Sequence, residues 1–600
     1  MKRLFSRSTI FTRETAAALA VAFVAAWRLP RVFGSDEALF GVRAVTPVLA
    51  LGLFCLLRRA FVFRDRRLEW RAYPLGLFFS AVTVVGEELK ANEGFLPFSL
   101  LSLLDSLTAI FCFAAVDGAA LCLLFRTAGR INRGEADRES VFSRITGNGF
   151  VVFALLILCW LPAWLACWPG TFTDDSVAQF YMYYDGMFST HHPLLHTLAL
   201  GFLMMLGIEH DPMGDGAAGV AAYAAVQMAL MAGVLAYACR WLRRRRAPLG
   251  LRVAITLMFA LFPFYSLWAI DCQKDVLFGG LALLVVLQLV DLWESDFALL
   301  RKPLWIVRWT VLTVLMMLMR NNGVYALCLF LPFALLGIKG RRVRVASLLA
   351  GCAALYLAVN GMLAASLDAE KGSYVEMLSV PLQQMGRTLA KDPDALPEEG
   401  RELIQTIYPN GYAEYYQPMI SDPVKWALDS SELEGRVPEL LSLWARMGGG
   451  HLDTYVEAFL VQNLPYLLPG ADMLYNIKIE TRPIDLIPIS EFSYMPRLRT
   501  FYENYDKTLA LPGLSFTRLF SDTAMQVWLC LIGLALAGYR RQRQFMAAFG
   551  FLLCIWFTCL LGPAALIRYM LSFFYAVPVL LCAMLSPFGR KTPGADIAAA

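Results

Sequence analysis

Apolar residues run along this chain in long stretches broken by short polar turns, and most stretches approach the length that carries a helix across a bilayer, about 20 residues. They lie near 14–29, 44–58, 73–87, 97–125, 149–168, 217–241, 250–269, 275–294, 304–319, 323–338, 346–366, 524–539, 545–561 and 565–586. The pattern predicts an all-α integral membrane protein with about fourteen spans. The first stretch, Ala16 to Trp27, is followed by Arg28-Leu-Pro-Arg31 and not by a small-residue cleavage site, so a span is expected there and not a removable leader.

One run is too short to cross with ease. Leu194 to Ile208 is followed at once by Glu209-His-Asp-Pro, and runs of this length are more often interfacial or re-entrant. Basic clusters mark the cytoplasmic face of a membrane protein. If the short run does not cross, then Arg240 and Arg243 to Arg246 share one face with Lys2, Arg3, Arg7, Arg58, Arg59, Arg64, Arg66 and Arg67. The cluster Arg126, Arg130, Arg133, Arg138, Arg144 joins them, as do Arg341, Arg342, Arg344, Arg540, Arg541, Arg543, Arg590 and Lys591. That choice puts both termini in the cytoplasm and residues 367–523 outside.

Residues 367–523 break the apolar pattern. Pieces such as Glu439 to Met447 and Leu452 to Leu464 read as helices cut short by Pro381, Pro393, Pro397, Pro418, Pro423, Pro465, Pro469 and Pro483. Strand-like alternation is scarce. Tyr408, Tyr412, Tyr415, Tyr416, Tyr455, Tyr466 and Tyr475 supply flat amphipathic faces, suited to sugar rings or to a headgroup layer. Four regions follow: 1–148 with four spans, a membrane core 149–366, a mainly helical extracytoplasmic domain 367–523, and 524–600 with three spans and a short tail. No internal repeat or low-complexity tract is seen.

Composition agrees: 58% of residues are hydrophobic and 17% charged, which excludes an ordinary soluble protein of this length. The net charge of +5 hides an asymmetry. Asp368 to Asp522 carries 13 Lys+Arg against 23 Asp+Glu, a balance of −10, so the remainder carries +15. Zones of opposite sign fit opposite sides of a bilayer, not nucleic-acid binding. None of the 13 cysteines lies between Asp368 and Asp522, so no disulfide framework or cysteine metal site is expected there.

The candidate chemistry gathers in Trp168 to Leu195, just past an apolar run. It holds Asp174-Asp175-Ser176-Val-Ala-Gln179, then Tyr181, Tyr183, Tyr184, then His191-His192-Pro193-Leu-Leu195. With His196 it contains three of five histidines. Plain structural roles are open to several of these: Trp168 and the tyrosines as an interfacial belt, Pro169-Gly170 as a turn, Asp174 as a helix N-cap. Acids and imidazoles together at a membrane boundary also make a functional-site hypothesis. On the expected topology, Gln273-Lys274-Asp275, Arg320-Asn321-Asn322 and Arg568-Tyr569 reach the same face. Each cation alone could be a snorkelling span anchor. Together they suit a phosphate group, and a neighbouring carboxylate suits a general base for a hydroxyl nucleophile. There is no P-loop, no dinucleotide fingerprint and no zinc spacing, and the adjacent His191-His192 pair is poorly disposed to converge on a metal.

These residues carry a resemblance. Asp174-Asp175-Ser176-Val-Ala-Gln179, His192-Pro193-Leu194-Leu195, Lys274-Asp275-Val-Leu-Phe and Arg568-Tyr569 resemble the GT-C superfamily of polyprenyl-phosphate-sugar-dependent glycosyltransferases, nearest in layout to its protein O-mannosyltransferase and lipid A aminoarabinosyltransferase branches. Pro381-Leu382-Gln383-Gln384-Met-Gly-Arg387 and Ser421-Asp422-Pro423-Val-Lys425 are similar to signatures of an uncharacterised bacterial membrane family. The GT-C resemblance implies an inverting transferase at the outer face of a bacterial cell membrane. It would pass a sugar from a polyprenyl-phosphate donor to a hydroxyl on a cell-envelope glycan, lipid or protein. The base would be Asp175 or Asp174, with Asp175 favoured. Substrate contacts would come from His191, His192, Gln179, Lys274, Asp275, Arg320, Arg568 and Tyr569. No metal site is assigned, although some members of the superfamily use a divalent cation. A transporter or flippase of lipid-linked glycans is the alternative; it predicts charges or broken helices at the bilayer midplane and a repeat between halves. A scaffold or sensor with a tyrosine-rich outer domain is a third reading.

Overall fold

The computed structural model describes residues 13–586 apart from 33–44, 63–64, 93, 97–98, 131–139, 212–214, 337, 339 and 484–486. Lys2, Arg3, Arg7, Arg64, Arg133, Arg138, Arg590 and Lys591, used above for orientation, lie outside the described residues. The chain is built of helices, and among the described residues extended backbone pairs only as isolated bridges. Among the described residues, eight helices are long and apolar enough to cross a membrane: Leu100–Gly129, Gly149–Ala166, Gly216–Arg244, Lys274–Glu294, Arg342–Ser366, Thr523–Arg540, Arg543–Leu560 and Ile567–Met584. A ninth candidate is broken, Leu249–Leu261 and Pro263–Ala269 meeting at 53°. Pro263 opens the second piece and cannot donate a backbone hydrogen bond to the first.

The other expected spans are helices of different character. Pro303–Met319 and Asn322–Leu336 are apolar but only 17 and 15 residues long, because Arg320 and Asn321 interrupt what would be one run. Arg66–Ala91 carries Arg66, Arg67 and Glu69 at one end and Glu87, Glu88 and Lys90 at the other. It crosses Leu100–Gly129 so closely that a Cβ on Gly76 would lie 2.6 Å from the Gly118 nitrogen.

Leu194–His210 is a single helix of 17 residues. Its His196 meets Tyr223, and its Gly207 rests on Ala218 of Gly216–Arg244. One helix therefore advances eleven residues while the other advances five. The two cross obliquely, and the short helix stays beside the first turns of its neighbour.

The helices put basic turns at one end. Arg245 pairs with Asp291 and with Glu294 (2.6 Å), Arg341 with Asp296 (3.1 Å), and Arg540 reaches the Ala128 carbonyl (3.5 Å). At the opposite end segment 367–523 folds around its own apolar cluster, including Leu382, Met385, Leu403, Ile407, Leu440 and Leu443. It is docked, not free-standing. Gln462 donates to the Gly562 carbonyl (2.7 Å), Asn463 to Leu560 (3.2 Å), Tyr466 to Leu566 (2.9 Å), and the Ser421 amide to Pro563 (2.8 Å). The Pro-Leu-Gln-Gln stretch ties the segment together internally. Gln383 donates to the Gln417 carbonyl (2.6 Å), Gln384 to Tyr455 (3.1 Å), and Arg387 pairs with the fully buried Glu457 (3.2 Å).

Candidate functional site

The loop after Gly149–Ala166 is held on both sides by backbone bonds. On one side the Thr171 amide donates to Ile270 (3.1 Å) and the Cys272 amide returns to Thr171 (3.0 Å). On the other, the Phe172 amide donates to Glu480 (3.1 Å) and the Arg482 amide to Phe172 (2.9 Å). Gly170 has φ +136°, and a Cβ there would lie 3.0 Å from the Ile270 carbonyl, so the close approach requires glycine. Asp174 follows at φ +47°, and Asp175 is the first residue of helix Asp175–Tyr184.

Asp175 stands between two cations. Lys274 Nζ is 2.6 Å and Arg568 Nη1 3.3 Å from its Oδ2. Burial works against its ionisation, but Arg568 and then Lys274 outweigh that and hold the carboxyl well below the usual carboxylate range. Lys274 also donates to His192 Nδ1 (3.1 Å). Burial and the neighbouring Lys274 charge lower His192 to about 3, so its ring is neutral and accepts. One layer deeper, Asp275 is fully buried, pairs with Arg320, and lies 3.9 Å from Arg568 Nε. The Tyr569 ring carries the Arg320 guanidinium at 3.8 Å and that of Arg568 at 5.2 Å. Gln273 accepts from Arg568 (3.0 Å) and donates to the Thr173 carbonyl (2.8 Å).

Asp174 caps nothing. Its side chain makes no N-cap hydrogen bond; it pairs with Lys478 (2.7 Å) and Arg482 (3.0 Å) of segment 367–523. Between these two groups of charges lies a cavity of about 400 Å³. Asp174, Asp175, Asp271, Gln273, Arg568 and Tyr569 line it from the helix ends, and Asp422, Trp426, Tyr475, Lys478 and Arg482 from the docked segment.

The residues expected at the site are therefore mostly together. Asp175, His192, Lys274, Asp275, Arg320, Arg568 and Tyr569 form one connected set, and Asp174 faces the same cavity while pairing with Lys478 and Arg482 instead. Two others stand apart. His191 is exposed and only packs edge-on against His192, ring centres 4.7 Å apart. Gln179 is turned into the core, donating to Thr197 (2.9 Å) and meeting His196 Nδ1 (3.1 Å), which in turn bonds Tyr223 (2.7 Å). Lys478, Arg482 and Trp426 had no local signal, whereas Asp422 lies in the Ser421–Lys425 stretch singled out above. Asp271 had one, since it shares its turn with Lys274 and Asp275. Burial pushes the Asp271 carboxyl up to about 8 against the hydrogen bond from Thr171 (2.8 Å).

The set does not fit a divalent cation. Asp174 and Asp175 are each taken by two basic side chains, and among the described residues no group of three or more His, Cys, Asp or Glu could hold a metal. It fits an anion. Lys274, Arg320 and Arg568 face two carboxylates, Asp175 and Asp275, whereas Lys478 and Arg482 are matched by Asp174 and Glu480. One positive charge is in surplus at the helix-end wall.

A family model described as a family of unknown function (DUF6020) matches residues 181–592, more than two-thirds of the chain. The match begins just after Asp174 and Asp175 and takes in Lys274, Arg320, the Pro381–Gln384 stretch and Arg568. No curated protein and no solved structure matches.

Proposed function

The chain belongs to this family of unknown function, and we propose that it is a membrane glycosyltransferase that moves a sugar from a polyprenyl-phosphate donor to a hydroxyl of a cell-envelope acceptor. The observation that carries this reading is the surplus of buried cations at the ends of apolar helices, Lys274, Arg320 and Arg568 against Asp175 and Asp275, beside a cavity of about 400 Å³ that Arg568 lines. Buried charge without a counter-charge is costly, so the site is built to receive an anion. A lipid-linked phosphate arrives at that depth, and the cavity lies in the range of small-ligand sites, roughly 300–1,000 Å³.

Lys274 and Arg568 would take the phosphate, with Asp175 as the counter-ion that positions both. Tyr569 and the Arg320–Asp275 pair brace Arg568 from below. The cavity wall from segment 367–523, with the exposed Trp426 and Tyr475, would receive the acceptor. This reading takes about fourteen spans, with both termini cytoplasmic and 367–523 outside. The gathering of Arg245, Arg341 and Arg540 at the end away from the cavity supports that orientation.

The broken helix Leu249–Leu261/Pro263–Ala269 favours a second reading, a transporter or flippase of lipid-linked glycans, since broken helices beside the ligand are a transporter feature. One experiment separates them. Proteoliposomes holding the protein are given a labelled polyprenyl-phosphate sugar. Transfer releases free polyprenyl phosphate and moves the label to another molecule. Translocation moves intact donor across the bilayer without consuming it. Neither outcome in the presence of envelope extract would overturn the proposal.

A further inference from the structure

We propose that Asp271, not Asp174 or Asp175, is the group that takes the proton from the acceptor hydroxyl. This rests on the glycosyltransferase reading and deepens it.

Four carboxyl groups line the cavity among the described residues: Asp174, Asp175, Asp271 and Asp422. Three are held by cations. Asp174 has Lys478 and Arg482, Asp175 has Lys274 and Arg568, and Asp422 has Lys425 at 2.8 Å. A carboxylate bridged by two cations has its lone pairs engaged and its basicity suppressed, which suits positioning and not proton abstraction. Asp271 differs. Its Oδ1 accepts from the Thr171 hydroxyl at 2.8 Å, and among the described residues no ion pair holds it. Its backbone is fixed independently, because Gln227 Nε2 donates to its carbonyl at 2.5 Å.

The groups that face Asp271 keep its charge low. Tyr223 of Gly216–Arg244 and Tyr575 of Leu571–Met584 face it from the helices, beside Cys272 in its own turn; Arg568, Asp275 and Asp174 are the charged neighbours. Burial dominates and sets its carboxyl at about 8, near working pH, where a general base is most effective.

The step then balances. The acceptor oxygen forms its bond to the anomeric carbon as the carbon–oxygen bond to phosphate breaks. The electron pair leaves with the phosphate, which stays on Lys274 and Arg568, and the hydroxyl proton passes to ionised Asp271. Activity therefore rises with pH as Asp271 loses its resting proton and levels above about 8.

The test uses full-length protein in nanodiscs, the polyprenyl-phosphate sugar consumed by the wild type, and polyprenyl phosphate as the binding probe. Asp271→Asn is expected to lower turnover by about 10²–10⁴-fold, keep polyprenyl phosphate binding, and lose the rise toward pH 8. Thr171→Val, which removes a hydrogen bond to the ionised form, should keep turnover at high pH while the rise moves to higher pH. It also serves if Asp271→Asn fails to fold. Wild-type turnover in Asp271→Asn, or an unmoved pH profile in Thr171→Val, overturns the assignment and leaves the transferase reading standing. A wild type that neither consumes the donor nor binds polyprenyl phosphate overturns both.

Discussion

The Lys274 ammonium lies 2.6 Å from the Asp175 carboxylate, although 99 residues separate them in the chain. Each opens a helix, Lys274–Glu294 and Asp175–Tyr184. An acid is favoured at a helix N-terminus and a cation is not. Lys274 therefore stands against its own helix dipole and depends on Asp175 for its counter-charge. A residue that breaks a local rule this way is more often functional than structural.

Asp175→Asn should accordingly be felt in stability. It leaves Lys274 and Arg568 partly buried with one counter-charge fewer, and breaking a buried pair costs about 3–5 kcal/mol. The Asp175 carboxyl is depressed in the folded state. Its contribution is present above the unfolded carboxylate value, near 4, and lost as pH falls through the lower folded one. The difference in thermal midpoint between wild type and Asp175→Asn should thus be flat from pH 5 to 8. A difference that fades within that window would show that Asp175 is not held ionised.

Arg568→Lys keeps the charge but loses the fork that reaches Asp175, Gln273 and the Tyr569 face together. Polyprenyl phosphate binding should weaken roughly tenfold, one charge-assisted hydrogen bond being about 1.5–3 kcal/mol. Unchanged affinity would remove Arg568 from the phosphate site.

Asp174→Asn should free the stretch 475–482. Lys478 and Arg482 are tied to the loop by Asp174 and by the paired backbone of Phe172. With the ion pairs gone, hydrogen exchange of 475–482 should rise while that of 274–294 does not. Equal protection in both proteins would make the backbone pairing sufficient by itself.

Much of this was legible along the chain, for physical reasons. Long apolar runs have few ways to hide except as helices, so the helices emerge near their expected places. Lys274, Asp275, Arg320 and Arg568 were recognisable because charge beside an apolar run must find a partner. Helix spacing could not have corrected Gln179, which stands four residues after Asp175 and on nearly the same face. It is turned inward by Thr197 and His196 of the following helix, and no period within Asp175–Tyr184 encodes those contacts. The Asp174 contact to Lys478 spans 304 residues, and no local period encodes it. Asp271 was overlooked because its value depends on burial, which the turn alone does not reveal.

Glu457→Gln should be severe and far from the chemistry. Glu457 accepts from Arg387 and from the Leu96 amide (2.9 Å), joining segment 367–523 to the loop before Leu100–Gly129. Losing the carboxylate strands a buried guanidinium, at about 3–5 kcal/mol. Glu457→Met with Arg387→Met should cost clearly less than the sum of the single changes, since neither charge is then left alone. Additive losses would mean that the pair is not coupled.

The orientation is open to a direct test at the short helix. Leu194–His210 crosses only the first turns of Gly216–Arg244, with Met204 packed on Gly219. If it does not span, Glu209 stays on the cavity side of the membrane and Arg244 reaches the other. Both side chains are exposed, so cysteine can replace either without disturbing the core. In a background with native cysteines removed, a membrane-impermeant thiol reagent should label Glu209→Cys on intact cells. Arg244→Cys should react only after permeabilisation. A helix that did span would carry Glu209 to the cytoplasmic side and Arg244 to the outside, reversing both results. The cations at 243–246 would then face outward, and the same reversal would move Lys274 and Arg568 away from the face where a lipid-linked donor is consumed.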